Sequence, residues 1–300
     1  MPYLVAASLL LSGLALALLL LVHLGFRAPR SREKGTPGDL GLDYQAVTIP
    51  TVAGKQLFGW WLQVPNASAT IAIIHGWGGN AELMLPMALP FHRAGINVLL
   101  IDARNHGNSD SHSFSSLPRF AEDLGKAVEW LKQTHPEQSQ QVALLGHSVG
   151  AGAALLEASR RHDIDAVISV SAFAHPAWMM RRFLARWWLP APLISAIMRY
   201  VEWVIGHRYE EIAPLHTICR IRCPVLLVHG NRDSTVPVED ARAIERGCRR
   251  PHISLLEIDE ADHDSVDKIE KHGPQLVAFL GEHGFPLATG TYEVKLPPGE

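Results

Sequence analysis

The sequence predicts an α/β domain: a mostly parallel sheet with helices on both faces. Three observations carry that expectation. Short apolar or β-branched runs alternate with helix-compatible segments along most of the chain, the pattern of a sheet built by crossover connections. Phe120 to Gln133 places Leu124, Val128 and Leu131 on one stripe, as an amphipathic helix packed on a sheet requires. Four motifs rich in glycine or polar residues follow directly on strand-like runs, and the carboxyl ends of parallel strands are where such sheets gather their functional groups.

The chain begins with an element outside that pattern. Leu4 to Phe26 is 23 residues without a formal charge, dominated by Leu and Ala. As a helix it would be about 34 Å long, enough to cross a bilayer core. A cleaved signal peptide fits less well, because no Lys or Arg precedes the run and no small-x-small site follows it. Leu and Ala surround the helix without a polar face, which disfavours a core helix. Residues 1–30 are therefore expected to be an N-terminal transmembrane anchor. Arg27, Arg30, Arg32 and Lys34 follow it, and the positive-inside rule then puts the domain on the cytoplasmic side. Residues 31–43, polar with several Gly, read as a tether.

The main domain is expected over residues 44–284. Tyr44 to Pro50 and Gln56 to Val64 read as strands joined by a turn at Ala53-Gly54-Lys55. Thr70 to Ile74 is a β-branched strand ending on His75-Gly76-Trp77-Gly78-Gly79. Ala81 to Ala94 reads as a helix kinked near Pro86 and Pro90. Asn97 to Ile101 is a buried strand that leads into Asp102-Ala103-Arg104-Asn105-His106-Gly107-Asn108-Ser109. After the amphipathic helix come Gln141 to Leu145, then Gly146-His147-Ser148-Val149-Gly150, an alanine-rich helix and a strand at Ala166 to Val170. Residues 175–221 interrupt the alternation and read as an inserted helical cap, with Met180, Phe183, Leu184, Trp187 and Trp188 at helical spacing. The pattern resumes with Val225 to His229, a helix at Val238 to Arg246, Ile253 to Ile258 and a helix from about Ser265 to Leu280. Residues 285–300 read as a loose tail.

Bulk properties exclude some functions. A formal net charge of -3 gives no basic footprint for nucleic acid. Three cysteines, Cys219, Cys223 and Cys248, argue against a disulfide framework. Cys219-x-x-x-Cys223 lacks a second ligand pair, so no metal is expected, and no cofactor motif stands out.

Gly146-x-Ser148-x-Gly150 lies between a strand and a helix, the context in which this pentapeptide becomes a nucleophile elbow. Asp233 lies just past Val225 to His229, and His263 just past Ile253 to Ile258. Other acids (Asp240, Asp259, Asp262, Asp264) lack that placement between serine and histidine. His75 and His106, in glycine-rich turns, read as structural, and His263 alone of the sixteen histidines joins a strand end to the right chain order.

In the order Ser, Asp, His, and in its His-Gly-x-Gly loop and Gly-His-Ser-x-Gly elbow, the chain resembles the serine hydrolases of the α/β-hydrolase superfamily over roughly residues 44–284. The resemblance implies that Ser148 is the nucleophile, His263 the general base and then acid, and Asp233 the residue orienting the imidazole. By the same match, the backbone N–H groups of Trp77 and Val149 form the oxyanion hole. Asp102 to Ser109 is similar to the Asp-x-Arg-Gly-His-Gly-x-Ser turn of many members, with Asn105 in place of the first glycine.

The expected function is a membrane-anchored serine hydrolase that cleaves carboxylic esters, including lipid-like ones, through an acyl-enzyme. A serine aminopeptidase or other amide or thioester hydrolase is the alternative, with Glu202, Glu210 or Glu211 as candidates to bind a substrate amino group. A non-catalytic binding protein on the same fold is the alternative of another class. The cap, rich in Trp and Arg, reads either as a lid over the site or as a contact with anionic lipid.

Overall fold

The computed structural model describes residues 2–265 and 271–288. Its centre is an eight-stranded sheet, β1 Gln45–Pro50, β2 Gln56–Leu62, β3 Ala69–Ile74, β4 Asn97–Ile101, β5 Gln141–His147, β6 Ala166–Val170, β7 Val225–Gly230 and β8 Ile253–Ile258. The order across the sheet is β1-β2-β4-β3-β5-β6-β7-β8. β1 and β2 enter antiparallel, and every pairing from β3/β4 to β7/β8 is parallel. This is the α/β-hydrolase fold that the sequence predicts, and the strand boundaries agree with the sequence reading to within two residues.

The sheet is buried on both faces because its strands are apolar at successive positions. Ile71 and Ile73 of β3, with Val98 and Leu100 of β4, pack under α2 (Leu85–Arg93) and α10 (Gly273–Glu282). Ala72, Ile74, Leu99 and Ile101 point the other way, under α3 (Leu117–Thr134), α4 (Val149–Ala158) and α9 (Val238–Gly247). The period of two in the strand makes both assignments at once. α3 begins three residues before the expected start at Phe120, with Pro118 in its first turn, where a missing N–H costs nothing.

The cap is helical, as expected: α5 Pro176–Ala185, α6 Ala191–Ile205, and the short α7 Tyr209–Ile212 and α8 Pro214–Thr217. Leu184, Ile197, Met198, Val201 and Tyr209 form its own small core. Arg182 ties it to the main domain by two bonds to Asp240, at 2.9 and 2.8 Å.

Three expectations need correction. The N-terminal segment is a helix, α1 Pro2–Gly25, but among the described residues no helix is long and apolar enough to cross a membrane. Its C-terminal end packs on protein, with Val22 and Phe26 against the cap core. The tether is a docked strap. Arg30 donates to the carbonyls of Gly107 and Ser109, Asn80 donates to the Ser31 carbonyl, and the N–H groups of Lys34 and Gly35 donate to Glu82. Cys219 and Cys248 form a disulfide, with Cα atoms 5.3 Å apart. An odd count of cysteines carries no information about two that meet across the α8–α9 packing, and Cys223 is the one left over.

The last helix occupies Gly273–Glu282, and the expected start near Ser265 runs into residues outside those described. The tail begins docked, with Phe285 buried and the Ala288 N–H bonded to the Ala94 carbonyl. Residues 289–300 of the expected loose tail lie outside the described residues.

Candidate active site

β5 ends at His147, and Ser148 then takes φ 55° and ψ -116° before α4 begins at Val149. That left-handed backbone is unfavourable for a residue with a Cβ and persists only where the surroundings impose it. Here they do. The Ser148 N–H donates to the Val170 carbonyl of β6 at 2.8 Å. The flanking glycines follow from contact: a Cβ on Gly146 would sit 2.1 Å from the Gly150 carbonyl oxygen, and one on Gly150 would sit 2.4 Å from that of His75. The turn is therefore pressed against itself on one side and against the His75 loop on the other.

Three side chains from three strand ends meet at this turn. Ser148 Oγ lies 3.0 Å from His263 Nε2, and His263 Nδ1 lies 2.7 Å from Asp233 Oδ2. Asp233 is held in turn, its Oδ1 accepting from the N–H groups of Thr235 and Val236 at 2.9 and 2.7 Å. Fully buried His229 stands 3.4 Å from Oδ2 and also bonds the Val236 carbonyl through the same Nε2. Burial opposes ionisation of Asp233, but the hydrogen bonds from His229, His263 and Val236 outweigh it and hold the carboxyl well below the usual carboxylate range. With Asp233 ionised, the Nδ1–H of His263 is the donor, and Nε2 is left to accept from the Ser148 hydroxyl. The acids set aside in favour of Asp233 have other partners: Asp240 latches the cap, Asp259 accepts from Asn231, and Asp262 accepts the His263 backbone N–H.

The two expected oxyanion donors flank the same serine. Val149 is the next residue, at the first position of α4, where helix geometry leaves an N–H without an intrahelical partner. Trp77 follows Gly76, whose α-carbon is so close to the elbow that a Cβ there would stand 3.2 Å from Ser148 Cβ. The His75 loop is fixed from within: the Nδ1–H of His75 donates to the Gly76 carbonyl, while Nε2 accepts the Ala103 N–H. Phe26 of the strap meets the Trp77 ring edge-to-face, with centroids 6.4 Å apart, and Pro29 lies against Gly78.

Around the triad three buried histidines, His75, His106 and His147, are held neutral. Burial, aided by the neighbouring His106, lowers His75 to about 3. Burial and then the nearby His263 lower His147 to about 4, and its Nε2–H donates to the His263 carbonyl at 2.9 Å. His106 falls to about 4, chiefly by burial. The structural reading of His75 and His106 therefore fits their contacts. Asp102 goes the other way, raised to about 8 by burial and by the carboxyl of Glu33. It organises the loop after β4 by accepting the N–H groups of Ala81 and Asn108. In that loop Asn105 has φ 72°, a conformation asparagine tolerates better than most residues, so it supplies the turn expected of glycine.

Sequence reasoning missed several supporting groups. His147 bonds a backbone carbonyl 116 residues along the chain and Glu33 reaches Asp102 from the strap, contacts that no local pattern marks, while His229 acts within its own loop, on the Val236 carbonyl seven residues on. Among the described residues two clusters bring three metal-type donors within 4.8 Å, His147/His263/Asp264 and His175/Glu210/His216. In the first, His263 has both ring nitrogens committed to Asp233 and Ser148. In the second, His175 Nδ1 accepts the Ala177 N–H, so Nε2 carries the proton and faces Glu210 at 3.3 Å. Glu210 is a carboxylate shared between two imidazoles there, not an open ligand set.

Comparison with known proteins agrees with this geometry. A family model described as serine aminopeptidase, S33, matches residues 65–217, half of the chain. The protein YqkD of Bacillus subtilis is 29% identical over 214 residues, 70% of either chain. An uncharacterised membrane protein of Saccharomyces cerevisiae is 23% identical over 252 residues, covering 83% of this chain and 84% of that one. Among solved structures, an esterase of Pyrococcus furiosus superposes with a TM-score of 0.71 at 27% identity, covering 85% of this chain and 96% of that one. A ferulic acid-bound protein, Est1E of Butyrivibrio proteoclasticus, shares the fold at 22% identity and a TM-score of 0.63, covering 78% of this chain and 98% of that one. With its elbow, its strand-end triad and this match, the chain belongs to the serine aminopeptidase S33 family of the α/β-hydrolase superfamily.

Proposed function

We propose that this protein is a serine esterase acting through an acyl-enzyme, with Ser148, His263 and Asp233 as its catalytic residues. The observation that carries the reading is the continuous relay from Ser148 Oγ through His263 to an ionised Asp233, at 3.0 and 2.7 Å. A serine hydroxyl is a weak nucleophile until a positioned base takes its proton. His263 Nε2 would accept that proton as Oγ attacks the ester carbonyl. The negative charge developing on the carbonyl oxygen would fall between the N–H groups of Val149 and Trp77, a stabilisation of roughly 3 kcal/mol per donor. The imidazolium, steadied by Asp233, returns its proton to the departing alcohol, and water repeats the sequence on the acyl-enzyme. The similarity to the Pyrococcus esterase supports esters as the substrate class.

The family description favours an aminopeptidase, and that reading needs a carboxylate free to bind an amino group. The three cap candidates have other duties. Glu202 accepts the Tyr209 N–H, Glu210 bridges His175 and His216, and Glu211 accepts the Arg208 N–H. Ester cleavage is therefore the preferred reading, and aminoacyl anilides run beside p-nitrophenyl esters test the ordering.

Membrane association through α1 belongs to the same proposal, supported by its exposed Leu9, Leu10, Leu16, Leu20 and Leu21. The basic flank would put the domain on the cytoplasmic side of a spanning α1, whereas Arg27 and Arg30 hold the strap and the Cys219–Cys248 disulfide suits an oxidising compartment. Thiol labelling in intact cells decides the side. The hydrolase reading is tested with a fluorophosphonate probe. Labelling of wild type and none of Ser148→Ala is expected, and equal labelling of both would falsify it.

A further inference from the structure

The cap carries a surface that the triad does not explain. Of the large apolar side chains left exposed outside α1, most lie on α5, on α6 or between them: Trp178, Phe183, Trp187, Trp188 and Trp203. Trp188 is 94% exposed and Trp203 78%, values without benefit to a soluble surface, where an indole is normally at least half covered. Trp188 moreover has φ 54°, an unfavourable backbone for a bulky residue. Its N–H closes the end of α5 on the Ala185 carbonyl, while the indole itself is left in solvent.

The charge of this surface is one-sided. Between Pro176 and Ile205 there are four arginines and a single acid, Glu202. Arg182 is paired with Asp240 and Glu202 is bonded to the Tyr209 N–H. Arg181, Arg186 and Arg199 are exposed and none has a carboxylate partner among the described residues. Indole rings beside unpaired guanidinium groups match the interface of an anionic bilayer, where aromatic rings sit at headgroup level and arginine meets phosphate. The surface also adjoins the apolar N-terminal helix, because Val22 and Phe26 of that segment pack against the same cap core as α6.

We propose that this face of the cap docks on a membrane carrying anionic phospholipid, with Trp188 and Trp203 in the interfacial layer and Arg181, Arg186 and Arg199 on the headgroups. The consequence, that the site takes ester substrates from the bilayer rather than from solution, rests on the esterase reading. The docking itself does not.

One feature of the sequence makes the test clean: α1 contains no tryptophan, so indole fluorescence reports the globular body while flotation reports the whole chain. The full-length protein is mixed with phosphatidylcholine vesicles, with or without phosphatidylglycerol, whose acyl chains are brominated. Stronger tryptophan quenching on anionic than on neutral vesicles is expected, and most of it should vanish in Trp188→Phe/Trp203→Phe. Each arginine near an anionic surface is worth roughly fivefold in partitioning, so Arg181→Glu/Arg186→Glu/Arg199→Glu should weaken docking by about 100-fold or more. Flotation without quenching, or quenching that survives the tryptophan substitutions, overturns the proposal while leaving α1 as a membrane element. Burial of the indoles from acrylamide without lipid overturns it in favour of a second copy or a protein partner. In the activity arm, both variants should keep wild-type rates on p-nitrophenyl acetate and lose most activity on an ester borne by anionic vesicles. A wild type inert on all esters removes the esterase reading and leaves the quenching result standing.

Discussion

Asp233→Asn is the most discriminating change to the candidate site, because it preserves shape and reverses one hydrogen bond. The Asn carbonyl oxygen can keep the position of Oδ1 and go on accepting from the N–H groups of Thr235 and Val236. The amide nitrogen then replaces Oδ2 and presents a donor to His263 Nδ1, which lies 2.7 Å away and is itself the donor in the native pair. Two donors cannot face each other at that distance. The imidazole responds by moving its proton to Nε2, and the nitrogen 3.0 Å from Ser148 Oγ can no longer accept. The expected loss is roughly 10⁴-fold in kcat, about 5 kcal/mol of transition-state stabilisation at 1.36 kcal/mol per decade. KM should change little, since the substituted atom is buried behind the imidazole. The assay is p-nitrophenyl ester hydrolysis at neutral pH, with circular dichroism to show that the variant is folded. A folded variant within tenfold of wild type would refute the role of Asp233 and, with it, the tautomer argument.

Four further outcomes follow from the same contacts. Gly150→Ala places a Cβ 2.4 Å from the His75 carbonyl oxygen and 2.8 Å from that of Ile74. Both are backbone atoms, so a loss of about 1–3 kcal/mol in stability and a large loss of activity are expected; an unchanged Tm would count against the packed elbow. Reducing the Cys219–Cys248 bridge, with its separation of 29 residues, should cost about 3.5 kcal/mol by loop entropy, read as a fall in urea midpoint that Cys219→Ser reproduces. His147, lowered to about 4 from 6.5, leaves the native state holding fewer protons than the unfolded one between those values. Stability from this group is thus complete above pH 6.5 and falls by up to about 3 kcal/mol on acidification to pH 4; His147→Gln should flatten that limb of the urea-unfolding profile. Asp102, raised to about 8 by burial and Glu33, has the opposite sign. Its native state holds the extra proton, so stability falls as pH rises from about 4 to 8, and Glu33→Gln should shrink that fall.

The sequence by itself located the strands and the three residues, Ser148, Asp233 and His263, that the fold brings into hydrogen-bond reach. Runs such as Asn97–Ile101 and Ile253–Ile258 are apolar at nearly every position between turn residues, and a parallel sheet imposes that local pattern wherever it is buried on both faces. Ser148, Asp233 and His263 were legible because each stands at a strand end, which a linear reading can locate. Contacts between distant segments were decided only by tertiary structure. Nothing near Cys219 or Cys248 announces the other, and nothing in residues 27–36 announces a strap over the Trp77 loop. Glu33 becomes a partner of Asp102, and His147 a support for His263, only once the chain is packed. The N-terminal helix shows both sides: its composition gave the helix from local propensity, while the docking of Val22 and Phe26 on the cap depended on a surface that exists only in the folded molecule. Local periodicity is set by backbone geometry and can be read from one segment. Side-chain partnership is set by which segments the sheet brings together, and no single segment carries that information.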